Sequence, residues 1–446
     1  MTHTIATPLT HPAAALPPEG RAALRGGVLG NYVDQLHIFL PLVALVPALP
    51  VLAGPHAAAT TGAIVVMAML LGRPIGGMVF GQIADRLGRT TTTKVAIAGT
   101  AACTLGIAAV PTHEVIGGAA ILIVIALRFL GGVFIAGEYS AAIPLAMEWS
   151  RPRRRGLYSG LIMSMAPWAQ ATIAFTTGVL LVALGPDAYA AWGWRASFAA
   201  GGLASVAMLM YYGVHVTDAP VFHRNRSTRR RLGLVEVLSG THARSFWQMF
   251  GLMSGLWFLT NTTVIMLTPR LGTDVGLDAT SVSVVMGCAA VGQAIVMGVT
   301  GHLSTLLGRR RFFIIWGVVA AVSAPLLWLA IMSGPAVWLV AACAVALQVL
   351  TVTAYGPIGA YLSERFPTAV RATGYGTAYS LSIVIPALYP FYLPTLEGWL
   401  GRDTAVLALM VLGGTLVAVC GALGPALRPA DIDDDLEAVS SRQGRP

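Results

Sequence analysis

The sequence of 446 residues is poor in charge: Asp, Glu, Lys and Arg make up 11% of it, against roughly 25% in a typical soluble domain. Hydrophobic residues make up 56%, and the mean hydropathy is +0.73. A water-soluble fold cannot bury this much apolar surface, so the composition excludes a soluble enzyme and a disordered chain. The apolar runs are continuous rather than alternating, which disfavours a transmembrane β-barrel. We therefore predict an all-α polytopic membrane protein.

Cysteine and lysine are also scarce. The four cysteines lie singly in apolar stretches, which favours helix packing over a disulfide framework or a metal site. Lys94 is the only lysine, and the arginines form short clusters between apolar runs rather than the basic face of a nucleic-acid-binding domain. The chain has no Gly-x-x-x-x-Gly-Lys-Ser/Thr motif, and its first 20 residues do not resemble a signal peptide. We therefore expect no nucleic acid, metal or cofactor.

Twelve apolar runs reach the roughly 20 residues that a membrane-spanning helix needs. Of the 28 Lys and Arg residues, 23 fall in loops on one side of these runs, three on the other side and two inside runs. Under the positive-inside rule, both termini are then cytoplasmic in a cell inner membrane. The predicted spans are 26–53, 58–84, 93–111, 116–149, 156–184, 195–216, 246–271, 279–304, 311–333, 336–363, 372–398 and 403–427.

These spans predict two six-helix bundles with polar segments around them. The bundles cover 26–216 and 246–427, and the N-terminal tail, linker and C-terminal tail cover 1–25, 217–245 and 428–446. The arginines of the linker predict a solvated cytoplasmic segment that also contacts anionic lipid headgroups. The acidic run from Asp431 to Glu437 predicts a solvated tail.

The two halves repeat each other in sequence. The segment from Gly81 to Arg89 returns, 220 residues later, as Gly301 to Arg309, with Thr305 in the place of Asp85. A second repeat has an offset of 216 residues. The offsets place Gln293 opposite Arg73, Tyr355 opposite Tyr139, Ala354 opposite Glu138 and Ala344 opposite Arg128. The halves thus share a scaffold, while the buried charges belong to the first half.

The element Gly81-x-x-x-Asp85-Arg86-x-Gly88-Arg89 resembles the loop motif of the major facilitator superfamily. Further segments resemble its metabolite:proton symporters, which include α-ketoglutarate, citrate, shikimate and proline/betaine permeases. The segments are Gly30-Asn31-Tyr32-Val33-Asp34, Arg73-Pro74-x-Gly76-Gly77, Arg128 with Gly137-Glu138-Tyr139, and Ser363-Glu364-Arg365-Phe366-Pro367. Span one departs from the family, because the usual Glu-Trp-Tyr-Asp is here Asp34-Gln35-Leu36-His37. The resemblance implies two pseudo-symmetric six-helix bundles that transport a solute by alternating access.

Four ionisable residues lie well inside predicted spans: Asp34, Arg73, Arg128 and Glu138. Each would cost from about 3 to over 10 kcal/mol at the centre of a bilayer. One hypothesis is that they form structural ion pairs, for example Asp34 with Arg73 or Glu138 with Arg128. The other hypothesis is that a carboxylate exchanges a proton during transport. It would take up and release the proton as it loses and regains an arginine partner, or as an anionic substrate binds to that arginine and leaves it.

Proton coupling is assigned to Asp34 and Glu138, with His37 either a further titrating group or a hydrogen-bonded core residue. Asn31, Asp34 and Gln35 share one helical face that must meet protein or water. Arg73 and Arg128 are assigned to substrate binding because a guanidinium holds a carboxylate with two hydrogen bonds. Neutral substrate-binding candidates, each equally suited to helix–helix contact, are Asn31, Gln35, Tyr139, Gln170, Asn261, Gln293, Tyr355 and Tyr379.

The family resemblance also implies a cytoplasmic gate, in which ion pairs join the halves while the site is open to the outside. Arg86, Arg89 and Arg155 are expected near Glu148, and Arg371 near Glu364. The alternative is that these arginines only set the topology. The gating residues are Gly81, Asp85, Arg86, Gly88, Arg89, Glu148, Arg155, Glu364 and Arg371.

The sequence thus predicts a monomeric, proton-coupled symporter of a small organic acid or zwitterion in the lipid bilayer. The alternative in the same class is a proton-driven antiporter that exports a small organic compound or drug. An intramembrane enzyme or a receptor is disfavoured, because an enzyme needs a nucleophile with its base, or metal ligands, at membrane depth.

Overall fold

The computed structural model describes residues 16–54, 59–224, 233–334, 336–426, 434 and 436–443. In this part of the chain the regular structure is helical throughout. Twelve principal helices follow one another along the chain. They are α1 (Pro18–Val43), α2 (Ala59–Leu87), α3 (Arg89–Ala109), α4 (Ala119–Trp149), α5 (Arg155–Leu184), α6 (Trp194–His215), α7 (Ala243–Thr260), α8 (Ala279–Leu307), α9 (Arg309–Met332), α10 (Val337–Val352), α11 (Arg371–Leu381) and α12 (Arg402–Ala422).

Most of these helices are long and apolar enough to cross a membrane. Ten spans meet that test among the described residues, and two bent helix pairs raise the number to twelve. In one pair α1 continues into Val46–Ala53 with a bend of 44°, and in the other Arg371–Ala387 continues into Tyr389–Leu400 with a bend of 46°. The all-α fold class and the twelve spans expected from the sequence are therefore confirmed.

The internal repeat is visible in the helix ends. α2 and α8 end at residues 220 positions apart, and α3 and α9 then begin at Arg89 and Arg309. Gly88 and Gly308 join these helices with φ of 116° and 82°, a region that glycine enters without steric cost. α5 and α11 begin at Arg155 and Arg371, 216 positions apart. We call the end of the molecule where these four arginines lie the arginine-rich end.

The two halves meet most closely near this end, where α2 packs against α11 and α5 packs against α8. Glycine makes these contacts possible. A Cβ atom on Gly77 would lie 2.5 Å from the carbonyl oxygen of Gly376, and one on Gly160 would lie 2.6 Å from that of Gly298. Any larger side chain would push the helices apart.

Three segments differ from the boundaries expected from the sequence. α1 begins at Pro18, inside the predicted tail, because proline suits the first helical turn and Ala23 and Leu24 are buried. Part of the linker packs on the bundle: it forms the short helices Pro220–Arg224 and Leu234–Leu238, with Phe222 and Val237 buried. Residues 1–15 and the linker arginines at 226 and 229–231 lie outside the described residues.

The C-terminal segment is the third difference. The predicted solvated tail is wrong for its last part, since Leu436–Gln443 forms a helix whose Leu436 and Val439 are buried. This helix packs against Ile358–Arg365 of the second half, at the arginine-rich end. Its amphipathic pattern supplies the apolar side chains that hold it there. Residues 427–433 of the predicted tail lie outside the described part of the chain.

Candidate functional site

A cavity of about 1200 Å³ lies between the halves, lined by helices of both. The cavity extends towards the end of the molecule opposite the arginine-rich end. There it is lined by Val46, Val182 and Thr280, which lie near the ends of their helices, and Val182 is 90% exposed. In the other direction the lining ends near Met163 and Met297, beside the close contact of α5 with α8. The cavity is therefore accessible from one end of the molecule and closed at the arginine-rich end.

Arg73 is the one charged residue that lines this cavity within the described chain. Its side chain is buried, and its guanidinium carbon lies 5.2, 5.3 and 5.6 Å from the ring centroids of Tyr139, Trp257 and Tyr379. We call these three rings the aromatic box. Cation–π contacts stabilise a desolvated cation by about 0.5–2 kcal/mol each, but the buried Nε and Nη2 of Arg73 have no hydrogen-bond partner. Two donor atoms of this buried cation are thus unsatisfied within the described part of the protein.

The aromatic box is built from both halves. Tyr139 of α4 stacks on Tyr379 of α11 with centroids 5.0 Å apart, and Trp257 of α7 meets Tyr379 edge-on at 5.5 Å. The Trp257 indole also donates a hydrogen bond of 3.3 Å to the Tyr379 carbonyl oxygen. The two tyrosines were predicted from the sequence, but Trp257 was not. Its position one helical turn before Asn261, on the same face, was the available signal.

Several neutral polar side chains predicted from the sequence also line the cavity. Gln35 donates a hydrogen bond to the hydroxyl of Tyr139. Asn261 begins a π-helical segment, Asn261–Met266, that continues α7, and such segments are often found at functional sites. Three polar atoms are buried without a partner: Nδ2 of Asn261, Oε1 of Gln293 and the hydroxyl of Tyr355. Gln170 completes the set of predicted residues that line the cavity.

Asp34 lies beside this site, within electrostatic range of both Arg73 and Tyr139. Neither structural pair considered from the sequence is closed: within the described residues, Asp34 and Arg73 make no ion pair at 4 Å or less, and neither do Glu138 and Arg128. Glu138 is buried outside the cavity lining, and its Oε2 has no hydrogen-bond partner. Neither carboxylate is in the cavity lining, and Asp34 is the one within electrostatic range of Arg73.

Besides Asp34 and Glu138, three residues predicted for proton coupling or substrate binding are absent from the cavity lining. Arg128 donates a hydrogen bond of 2.9 Å to the carbonyl oxygen of His37 and contacts the sulfur of Met69. His37 is a core residue, with its ring nitrogens hydrogen-bonded to Ser205 at 2.6 Å and Thr104 at 3.0 Å. Asn31 donates a hydrogen bond of 2.5 Å to the carbonyl oxygen of Ile162. These side chains are held by neighbouring helices of the first half, which helical spacing alone does not reveal.

Asp85 closes the arginine-rich end across the two halves. Its carboxylate accepts hydrogen bonds from the backbone N–H groups of Ala372 and Thr373 at 3.0 and 2.8 Å, and from the Thr373 hydroxyl at 2.7 Å. It also pairs with Arg89 at 2.6 Å. A carboxylate at a helix N-terminus satisfies free N–H groups and the helix dipole. Asp85 of the first half therefore caps α11 of the second, where Gly81 lets the backbones approach.

Glu148 is fully buried between Arg89 and Arg371, at 3.2 and 2.8 Å. The expected pair of Arg89 with Glu148 is present, but Arg371 lies on Glu148 rather than on Glu364. Arg89 also donates a hydrogen bond of 3.0 Å to the carbonyl oxygen of Thr368. Since Glu148 and Arg371 belong to different halves, this pair joins the halves directly.

Glu364 makes the corresponding contacts in the repeat. It pairs with Arg309 of its own half at 3.0 Å and with Arg155 of the other half at 3.7 Å. Arg155 thus lies near Glu364 rather than near Glu148, because α5 packs against α8 and against Ile358–Arg365 of the opposite half. Arg86 is exposed and lies outside this network, since it is about 100° around the helix from Asp85.

The C-terminal helix adds a carboxylate that the sequence analysis did not assign. Glu437 accepts hydrogen bonds from the backbone N–H of Thr368 at 3.0 Å and from its hydroxyl at 2.5 Å. Its carboxylate also lies 3.5 Å from Arg371. The segment Thr368–Arg371 is thus held by Glu148 on one side and Glu437 on the other.

Comparisons with known proteins all point to the same family of membrane transporters. The signature of the Major Facilitator Superfamily matches residues 38–390 and, in a second match, 249–439. The chain is 27% identical over 434 residues to the inner membrane metabolite transport protein YhjE of Escherichia coli, covering 93% of this chain and 97% of that one. It is 26% identical over 359 residues to the proline/betaine transporter of Escherichia coli, covering 78% and 71%.

A similar fold is found among solved structures. The proton:xylose symporter XylE, bound to a bromodeoxyglucose, superposes with a TM-score of 0.74 at 16% identity, over 95% of this chain and 99% of that one. The chain belongs to the major facilitator superfamily. It is a multi-pass membrane transporter, not an enzyme, and it is related to metabolite:proton symporters, as its motifs indicated.

Proposed function

We propose that this transporter is a symporter that moves a small organic anion together with protons by alternating access. The observation that carries the proposal is Arg73, a buried cation with two unpartnered donors in a cavity between the halves. A buried charge is stable when it is paired and hydrogen-bonded. A substrate carboxylate would supply both the opposite charge and the acceptors, with the bidentate geometry that a guanidinium favours.

The neighbouring carboxylate gives this site a means of coupling. A cation beside Asp34 favours its ionised form, and an anion on Arg73 neutralises that cation. Binding of the substrate would then let Asp34 take up a proton, so that proton and anion cross the membrane together. Release of the anion on the other side would restore the influence of Arg73 and release the proton. Glu138 remains a second candidate, buried in the first half outside the cavity lining.

The ion pairs at the arginine-rich end support alternating access. In the described conformation they hold that end closed while the cavity is accessible from the other end. By the distribution of arginines we place the arginine-rich end and both termini in the cytoplasm, so the cavity faces outward. Transport would require the contacts of Asp85, Glu148 and Glu364 across the halves to break as the bundles of 26–216 and 246–427 rock around Arg73.

Reconstituted vesicles test this proposal. With an inward proton gradient and a panel of labelled carboxylates, proline and glycine betaine, the wild-type protein should accumulate an anion above equilibrium. Asp34→Asn should abolish accumulation but retain exchange of labelled for unlabelled substrate, because binding at Arg73 is intact. Glu138→Gln tests the second carboxylate in the same way. Full accumulation by Asp34→Asn would remove Asp34 from the mechanism.

Antiport is the second candidate, because an apolar cavity with one charge in its described lining also suits proton-driven export of a drug-like compound. Both modes use the same residues, and the direction of net flux separates them. Under an imposed proton gradient, a symporter moves solute with the protons and an antiporter moves it against them. Solute efflux driven by inward proton flow would therefore favour the antiporter.

A further inference from the structure

The cavity has a single charge in its lining. Arg73 supplies one positive charge, and no aspartate or glutamate is among the residues that line the cavity in the described chain. A second carboxylate on a ligand would find no cation there, and the ammonium of a zwitterion would find no acid in the lining. Because uncompensated charge is costly to desolvate, the cavity matches a ligand with one negative charge.

The surface around Arg73 is mainly apolar. Leu70 and Ile383 form a small buried cluster with Val66 and Trp257, and all four line the cavity. Further from Arg73 the lining continues with Phe39 and Val264. A ligand covered with hydroxyl groups would exchange its hydrogen bonds with water for contacts with hydrocarbon. The lining therefore matches a ligand whose body beyond the carboxylate is apolar.

Three hydrogen-bonding groups stand near the aromatic box without partners. They are the Nδ2 of Asn261, the Oε1 of Gln293 and the hydroxyl of Tyr355. The ring of Trp257 lies 5.3 Å from the guanidinium carbon of Arg73 and 5.4 Å from the ring of Tyr355. Trp257 thus contacts both Arg73 and Tyr355, and Asn261 and Gln293 line the same cavity. A hydroxyl or carbonyl group of the ligand, on the far side of its body from the carboxylate, would satisfy one or more of these groups.

We infer that the substrate is a monocarboxylate with a compact apolar body, aromatic or branched, and one hydrogen-bonding group distant from the carboxylate. This inference rests on the proposed function, since it takes Arg73 as the anion site. Asn261 and Gln293 recognise the distal group, and the aromatic box holds the apolar body. The cavity of about 1200 Å³ exceeds the roughly 300–1,000 Å³ of a typical ligand site, so the bundle must close further around such a small ligand.

A series of benzene derivatives separates the three features of this ligand. Binding to the purified full-length protein is measured by the quenching of tryptophan fluorescence and by thermal shift. 4-Hydroxybenzoate should bind most tightly, benzoate about tenfold more weakly, and benzamide and terephthalate more weakly still. Proline, glycine betaine and α-ketoglutarate serve as a zwitterion, a betaine and a dicarboxylate of similar size.

Two sets of variants assign the features to residues. Arg73→Gln should weaken the binding of 4-hydroxybenzoate and benzoate equally. Arg73→Lys should retain part of the affinity, because lysine keeps the positive charge but cannot form the two parallel hydrogen bonds of a guanidinium. Asn261→Ala with Gln293→Ala should weaken binding of 4-hydroxybenzoate more than binding of benzoate, and so remove the roughly tenfold preference between them. This double variant keeps the test decisive if Arg73 variants fail to fold.

Any of three results would overturn the inference. The first is tighter binding of terephthalate, α-ketoglutarate, proline or glycine betaine than of benzoate or 4-hydroxybenzoate. The second is an unchanged preference for 4-hydroxybenzoate over benzoate in the double variant, and the third is no binding of any monocarboxylate in the series.

The proposed function is tested separately from the substrate class. If proline accumulates with protons in vesicles and Asp34→Asn abolishes that accumulation, symport stands and only the substrate class is wrong. If 4-hydroxybenzoate binds as expected but moves without protons, the substrate class stands and proton coupling fails.

Discussion

The two helix junctions at the arginine-rich end repeat each other in backbone but differ in chemistry. At the α2–α3 junction, Asp85 accepts three hydrogen bonds from Ala372 and Thr373 and pairs with Arg89. At the α8–α9 junction the matching residue is Thr305, which accepts a hydrogen bond of 3.2 Å from Arg309. The carboxylate that caps α11 thus has no counterpart at α5.

This difference indicates how closure of the arginine-rich end is divided between the halves. Hydrogen bonds that involve a charged group contribute about 1.5–3 kcal/mol, and neutral ones about 0.5–1.5 kcal/mol. The α2–α3 junction should therefore hold the closed end more strongly than the α8–α9 junction. A gate with one strong and one weak side can open on the weak side first, so we expect separation of α5 from α8 to precede that of α2 from α11.

Both junctions share close glycine contacts, and removing these should have the largest effect. A Cβ on Gly81 would lie 2.7 Å from the Cα of Thr373, and a Cβ on Gly301 would lie 2.7 Å from the Cα of Gly160. Gly81→Leu and Gly301→Leu should each abolish transport, because the arginine-rich end can no longer close. Gly213→Leu is the control, since nothing lies within 4 Å of its Cβ position.

Uptake into vesicles, normalised to the amount of folded protein, measures this effect. Equal loss in both leucine variants is expected because steric exclusion does not depend on the charge that distinguishes the junctions. Normal uptake by Gly301→Leu together with loss in Gly81→Leu would show that only one of the two contacts has to close.

The buried glutamates come next. Glu148 is fully buried between two fully buried arginines, and breaking such a group costs about 3–5 kcal/mol. Glu148→Gln should shift the equilibrium towards opening at the arginine-rich end by more than about a hundredfold. Glu364→Gln should shift it less, because Arg309 retains contacts with Ser304 and Thr305.

Distances between spin labels report this equilibrium. Labels at Leu87 and Leu306, both exposed at the arginine-rich end of their helices, measure its opening, and labels at Val46 and Val284 measure the cavity mouth. The four native cysteines are replaced first. A larger shift in Glu364→Gln than in Glu148→Gln would contradict the asymmetry between the junctions.

The capping carboxylate gives a direct test of that asymmetry. Asp85→Asn retains one acceptor but loses the charge, and should weaken the closed end by about 1.5–3 kcal/mol, a shift of roughly 10- to 100-fold in the same distance measurement. Thr305→Ala should cost about 0.5–1.5 kcal/mol. The reciprocal variant Thr305→Asp places a carboxylate at the N-terminus of α5, beside Gly156 and Arg309, and should stabilise the closed end. If Thr305→Asp does not stabilise the closed end, then the role of Asp85 depends on its place in the first half and not on its charge.

The sequence predicted the fold and the central residues of the site for identifiable reasons. Charge is so costly in a membrane that Arg73 and Asp34 stand out in apolar spans, and the repeat offset linked Tyr139 to Tyr355. The helix ends followed the same offsets, because Gly88 and Gly308 set where α2 and α8 stop. The architecture and two of the three rings of the aromatic box were thus predictable from the sequence.

What the sequence could not predict was which helix each polar face would meet. Arg128 and His37 were as conspicuous in the sequence as Arg73, yet both are hydrogen-bonded inside the first half. Arg128 donates to the carbonyl oxygen of His37, and the His37 ring is hydrogen-bonded to Ser205 and Thr104. The cross-half pairs of Arg371 with Glu148 and Arg155 with Glu364 depend on how the bundles dock, which local spacing does not encode. Trp257 was missed because its spacing from Asn261 places both residues on one helical face but does not identify the residues that this face meets.

The C-terminal helix adds the smallest contribution and tests whether the strong junction is reinforced from outside the bundles. Glu437 is about one-third exposed, with its carboxylate 3.5 Å from Arg371, so water and salt screen the pair and it should contribute about 0.5–1 kcal/mol. Glu437→Gln should therefore open the arginine-rich end by roughly two- to fivefold, and salt should reduce the difference from wild type. Glu148→Gln, whose partner is buried, should keep its effect in high salt. Glu437→Gln could instead shift the opening equilibrium as much as Glu148→Gln, with the same response to salt. The C-terminal helix would then be as important for closure as the buried ion pairs, and the two halves would differ by more than the Asp85–Thr305 difference predicts.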